Sequence, residues 1–195
     1  LAYRVFEEVG REEQPVLDDE GKNLVIRRIA GKLEDDLKVL KGNLKKQGYI
    51  SEVKSVISEF VQYGVDFDKL DDFMEGLSQE SYLYYKLQDI RKVYEGFEEY
   101  LRDRYITKEE MLDVLARAVC DSELLKGSVI ALDGFTGFTP VQIRLISELL
   151  KVSEKVIVTV EIDRREDPFI YRHPYQLFAL SKQMVTSLVK TAPVS

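Results

Sequence analysis

The spacing of apolar residues changes once along this chain, and the change limits what it can fold into. Up to Cys120 apolar positions recur at steps of three and four, the period of helices that bury one face. After Gly127 they gather into short runs, Val129 to Leu132 and Val156 to Val160, which are rich in β-branched residues and read as buried strands. Between the runs, Thr139-Pro140 makes an N-cap and N1 pair ahead of Val141, Leu145, Ile146, Leu149 and Leu150. A last helix is expected from Pro174, carrying Leu177, Phe178, Met184, Val185 and Leu188. Strand, helix, strand and helix with short links make a parallel α/β unit.

Within the helical part, Val25, Ile29, Leu33, Leu37, Leu40 and Leu44 predict one long helix that starts at the acidic run 18–20 and stops at Gly48. Tyr49, Val53, Val56, Ile57 and Phe60 predict a second, with Gly64 as its left-handed cap. A short helix carrying Leu70, Phe73 and Leu77 follows. Leu83, Leu87, Ile90, Tyr94, Phe97 and Leu101 then form the most regular seam in the chain, although Gly96 within it costs about 1 kcal/mol against Ala. Thr107 and Glu110 make a capping box ahead of a helix that runs to Cys120.

Composition narrows the function. One Cys and one His exclude a disulfide framework and any cluster of several Cys or His ligands, which leaves a reducing, cytoplasmic compartment as the expectation. No apolar run approaches the roughly 18 residues of a membrane span, so no membrane role is expected. The chain begins at Leu1, directly in a helical pattern and without a signal peptide, as a piece of something longer would. Net charge is −7, which argues against a strong binder of phosphate backbones. The charge is uneven, however: residues 22–54 are net +5, while residues 1–21 are net −5 and 55–126 net −8. Lys38, Lys41 and Lys45, spaced by three and four with Lys46 beside them, would share a face of the expected long helix. That face is either a solvated surface or a contact to a DNA backbone.

Asp133 is the residue to weigh for chemistry, because an acid at the carboxyl end of a parallel strand lies at the edge where such sheets bind ligands. Its surroundings, Val129-Ile130-Ala131-Leu132-Asp133-Gly134-Phe135-Thr136-Gly137-Phe138-Thr139-Pro140-Val141-Gln142, resemble the second helicase motif of the UvrD-like superfamily: an apolar strand, D-E-F-Q-D-T, then a Gln that opens a helix. Asp133, Phe135 and Gln142 match. The D-G-F-T-G-F-T-P form is similar to that of one branch, the AddB or RexB family within the bacterial AddAB-type helicase–nucleases. Leu1 to Phe6 looks like the helix that follows that superfamily's T-F-H motif.

The resemblance implies a partial RecA-like, P-loop NTPase-type parallel sheet with a large inserted α-helical subdomain. Residues 1–20 would supply its first helix, 21–126 the insertion and 127–195 the α/β part with the degenerate motif. It also implies a role in ATP-dependent double-strand break resection and recombinational repair, as a heterodimer with a helicase–nuclease A subunit and in contact with DNA. Gly134 stands where the superfamily has its catalytic glutamate, and a glycine cannot activate water. No third helicase motif follows the second strand, and no G-x-x-x-x-G-K-S/T is present. The resemblance therefore implies a segment with no catalytic residue, no metal ligand and no cofactor of its own. Mg²⁺, ATP and an iron–sulfur cluster would belong to other parts of the parent protein.

Two other functions stay open on the residues alone. One is an adaptor that docks a partner helix on the Leu83–Leu101 face. The other is a working hydrolase whose acid is Asp163 or Glu161. Tyr82, Tyr84 and Tyr85 read as core or subunit contacts in preference to base-stacking platforms, Cys120 as a buried thiol, His173 as a cap or surface residue, and the acidic stretch 66–75 as solvated turn and helix.

Overall fold

The computed structural model describes residues 1–10, 14–44 and 46–192. In chain order its elements are α1 (Ala2–Glu8), β1 (Val16–Leu17), α2 (Asp19–Lys32), α3 (Gln47–Tyr63), α4 (Phe67–Glu75), α5 (Tyr82–Leu101), β2 (Ile106–Thr107), α6 (Lys108–Ala118), β3 (Val129–Leu132), α7 (Pro140–Val152), β4 (Lys155–Val158) and α8 (Ala179–Thr191). The fold is mixed α/β, mostly helical, with two small parallel sheets. It divides into two compact units, one of Gln14–Met111 and one of Leu1–Glu13 with Leu112–Ser195.

The unit of Gln14–Met111 is built around α2, α3 and α5. Asp18 caps α2 by accepting from the Gly21 amide at 2.7 Å, and Ser81 caps α5 through the Tyr84 amide at 3.1 Å. Gly64 adopts φ +64 after α3, and the Val65 amide reaches back to the Phe60 carbonyl, the left-handed stop that its position predicts. The core joins Val25, Ile26, Ile29, Leu40, Ile50, Ile57, Ile90, Val93 and Phe97. Gly96 lies where α5 meets α2: a Cβ there would come within 2.8 Å of Ile29 Cγ2, so the close approach offsets the helix cost of glycine. Leu83, the first member of the expected seam, is exposed, and the buried seam begins farther along α5.

The long helix expected over residues 20–48 does not form. α2 stops at Leu33, beyond which three successive acids, Glu34, Asp35 and Asp36, oppose the negative end of the helix dipole. The chain then crosses in two 3₁₀ turns, 34–36 and 41–43, with Leu37 extended between them. Leu37, Leu40 and Leu44 are buried as their spacing predicts, but from an irregular segment. Asp89 of α5 explains it: this carboxylate, 1% exposed, accepts from the amides of Lys38 at 2.9 Å, Val39 at 2.6 Å and Leu40 at 2.9 Å. Amides that would have bonded within a helix are held by a side chain about fifty residues away.

After α5, the two residues of β1 and β2 pair in parallel, Val16 with Ile106 and Leu17 with Thr107. The capping box forms as expected: the Thr107 amide donates to Glu110 at 2.7 Å and the Glu110 amide to Thr107 Oγ1 at 3.2 Å. Burial, then the nearby Glu110 carboxylate, raise the Glu98 carboxyl from 4.5 to about 7 against the opposing pull of Arg102. Because the folded chain holds this proton more tightly than the unfolded one, stability is expected to fall as pH rises from about 5 to about 7. Glu98→Gln should flatten that fall, read as urea midpoints across the same range. A decline of equal size in the variant would remove Glu98 as its cause.

In the other unit, α1 is held by Glu8, which accepts from the Ser122 hydroxyl and, at 2.8 Å, from the Leu124 amide. β3 and β4 pair in parallel from Val129↔Lys155 to Leu132↔Val158, with α7 between them in the chain. Their apolar runs predict burial, but only alternate residues are covered: Val129 is 60% exposed and Ile157 41%. A two-stranded sheet packed on one face shields only every second side chain. α8 begins at Ala179, not Pro174, after a turn in which Phe178 has φ +60, so Leu177 falls outside the helix and is exposed. Cys120, expected to be buried, is exposed beside Glu148, because the helix gives way to a 3₁₀ turn at Val119.

Candidate functional site

Asp133 follows the last residue of β3 and is exposed at the carboxyl end of the parallel pair. The hydroxyl of Thr159, just beyond β4, donates to its carboxylate, and the Thr159 amide donates to the Leu132 carbonyl at 3.0 Å. Gly134 has φ +77 with open space around it. Side chains rarely adopt that conformation, so a glutamate there would be strained although it would have room. Phe135 and Phe138 pack together with ring centroids 5.1 Å apart. Gln142 is engaged in a capping box: its side-chain oxygen accepts from the Thr139 amide at 2.8 Å while Thr139 caps α7. The β3–α7 connection thus brings Asp133, Gly134 and Phe135 into one loop and gives Gln142 a structural task.

Asp163 is bonded to the Arg165 guanidinium at 2.6 Å and to its amide at 2.9 Å, which hold its carboxyl below the usual range. Glu161 is exposed. Among the described residues, no group of three or more His, Cys, Asp or Glu side chains could hold a metal ion.

The basic face expected from Lys38, Lys41, Lys45 and Lys46 depends on a helix that is absent, and the structure gives Lys38, Lys41 and Lys46 different partners. Lys38 Nζ lies 4.2 Å from the ring centroid of Tyr85. Lys41 pairs with Asp35 at 2.8 Å, which raises its pKa, and Lys46 donates to Asn43 at 2.9 Å. Lys45 lies outside the described residues. Of the tyrosines, Tyr82 is 67% exposed and Tyr84 and Tyr85 are half-buried, so none of the three lies in the core. Asp89, which shapes this segment, gives a single signal in the sequence, an acid next to the buried seam position Ile90.

A family model described as "ADDB, N-terminal" matches residues 1–194. The chain belongs to the AddB N-terminal family. It is 41% identical over 194 residues to the B subunit of the ATP-dependent helicase/deoxyribonuclease of Lachnoclostridium phytofermentans, covering 98% of this chain and 17% of that protein. Proteins of the same name from Caldanaerobacter subterraneus subsp. tengcongensis and Thermoanaerobacter sp. are 34% identical over 190 residues and 38% over 167. These matches cover 97% and 86% of this chain, against 16% and 14% of those proteins. The chain therefore spans about a sixth of the length of the curated AddB relatives it matches. Among the described residues, no helix is long and apolar enough to cross a membrane.

Proposed function

We propose that this chain is a helicase-like region of the AddB-type component of an ATP-dependent helicase/deoxyribonuclease, and that it serves as a catalytically silent scaffold for DNA and for the helicase–nuclease A subunit during double-strand break resection. The observation that carries this reading is the loop after β3. Its carboxylate, Asp133, is bonded to Thr159, and the next position is a glycine at φ +77. A magnesium–ATP site that hydrolyses needs one carboxylate for the metal and a second group to orient water, and the glycine beside Asp133 supplies no second group. A RecA-like, P-loop-type origin for residues 127–195 is supported by the parallel β3–α7–β4 arrangement and by the motif around Asp133. The division of the chain into an α/β unit and a separate mainly helical one supports this reading over a helical adaptor.

The purified chain is expected to show no magnesium-dependent ATP turnover above a buffer blank, and Asp133→Ala to leave that result unchanged. Turnover that Asp133→Ala abolishes would overturn the silent-scaffold reading.

A further inference from the structure

Phe169, Ile170, Tyr171, Tyr175, Leu177 and Leu180 fall within residues 169–180, between β4 and the first turn of α8, and all six are exposed. Tyr175 at 83% and Leu177 at 71% are the most exposed large apolar residues among those described. Most of the stretch has no regular structure, yet polar groups fix its course. Lys182 of α8, 1% exposed, donates to Glu166. The Gln176 side chain donates to the same Glu166 oxygen at 3.4 Å and accepts from the Arg172 amide at 3.2 Å. The Phe169 amide donates to Asp167 at 2.8 Å. Phe178 turns the chain into α8 at φ +60, a conformation that side chains rarely adopt. A buried ammonium and a strained turn are both costly, and here they hold a row of bare apolar side chains in place. Groups fixed in advance lose little freedom when something docks on them.

Two observations bear on what covers the row. Asp163 is paired with Arg165 and Glu166 with Lys182, while Arg172 is exposed and, among the described residues, its guanidinium has no partner. A face of six large apolar groups with so little free charge has the character of a permanent interface, and left bare in a folded subunit it would drive association. The AddB relatives, in turn, have about five-sixths of their length outside the region that this chain matches, so covering elements are at hand in the same polypeptide. We propose that residues 169–180 are the seat of a later segment of the AddB-type polypeptide, one that brings an apolar face and a carboxylate for Arg172. Glu166 and Lys182 are positioning residues that hold the seat in shape. The proposal rests on the reading above that this chain is a region of an AddB-type component, and it adds a contact within that component to those with DNA and the A subunit.

The test is hydroxyl-radical footprinting of the full-length AddB-type subunit, alone and with the A subunit, read by mass spectrometry at Tyr175 and Leu177 against the same subunit unfolded in urea. The expected result is oxidation slowed about fivefold or more in the subunit alone, as in the core of an interface, with no further change when the A subunit is added. Arg172→Glu should undo at least about half of that protection by setting two carboxylates against each other. That guanidinium bonds to nothing else in the described chain, so the reversal leaves the unit's own bonds intact; if it does not fold, Arg172→Gln takes its place. Protection that appears only with the A subunit overturns the assignment and leaves the scaffold reading standing. Protection lost on dilution of the subunit assigns the row to a second copy and also overturns it. No protection in any state overturns docking at this row, and full protection in folded Arg172→Glu overturns the carboxylate. Failure of the two subunits to associate would count against the scaffold reading alone, because the protection is read in the lone subunit.

Discussion

Asp89→Ala is expected to lower the stability of the Gln14–Met111 unit by about 3–5 kcal/mol, one of the largest effects of any single substitution in it. The carboxylate is 1% exposed, and three successive amides converge on it. Bonds to a charged acceptor contribute about 1.5–3 kcal/mol each, and alanine would leave the Leu40 amide buried without a partner. Asp89→Asn separates shape from charge. All three amides reach Oδ2, so an asparagine oxygen placed there keeps those contacts and gives up only the second bond of the Lys38 amide, to Oδ1 at 3.1 Å, and a loss of about 1–2 kcal/mol is expected. Urea unfolding gives both values, and hydrogen exchange at residues 38–40 reports the local consequence: protected in the wild type, fast in the alanine variant. A midpoint unchanged by Asp89→Ala would mean that the segment is held by its leucines and not by the carboxylate.

Lys22→Ala should cost a comparable amount, about 3–5 kcal/mol, by stranding a charge. Lys22 is 1% exposed on α2, and its ammonium donates to both oxygens of Glu109 on α6, at 3.0 and 2.8 Å, with Ser58 of α3 at 3.5 Å. Burial pushes the Glu109 carboxyl up, but the bonds from Lys22, its own backbone amide and Thr107 outweigh this and hold it below the ordinary value. A depressed carboxyl stabilises the fold above its unfolded pKa and loses that contribution as pH falls through the folded one. Lys22→Ala should therefore be most damaging near neutral pH and converge on the wild type in acid. The double variant Lys22→Met/Glu109→Leu should recover most of the loss, since apolar residues of similar size often replace a buried pair at little cost. A double variant as unstable as Lys22→Ala would show that the site needs the ions themselves.

Interactions between residues close in the chain are legible in the sequence. The box Thr107–Glu110, the N-cap at Thr139, the stop at Gly64 and the buried positions of α5 each follow from side chains a few residues apart. The place of Asp133 and Gly134 is legible too, because they lie in the connection between one strand and the next helix. Sequence and structure part where a distant group intervenes or a covering element is missing. The stripe of Leu37, Leu40 and Leu44 is truly buried, yet Asp89 unwinds the helix that should have carried it. Val129 and Ile157 look like the interior of a covered sheet but are open on one side.

From its sequence alone, the chain is mainly helical before Gly127 and alternates strands and helices after it, with a glycine directly behind the strand-end Asp133. Periodicity, capping and motif are local properties of a covalent string, so folding does not change them. Where the charges stand is decided only by the tertiary structure. Spacing places the lysines on one helical face, and the fold instead puts Lys38 beside tyrosines, gives Lys41 to Asp35 and buries Lys22 against Glu109. The reason is that a charge settles where its desolvation is matched by a partner, and that partner can be fifty or more residues away along the chain.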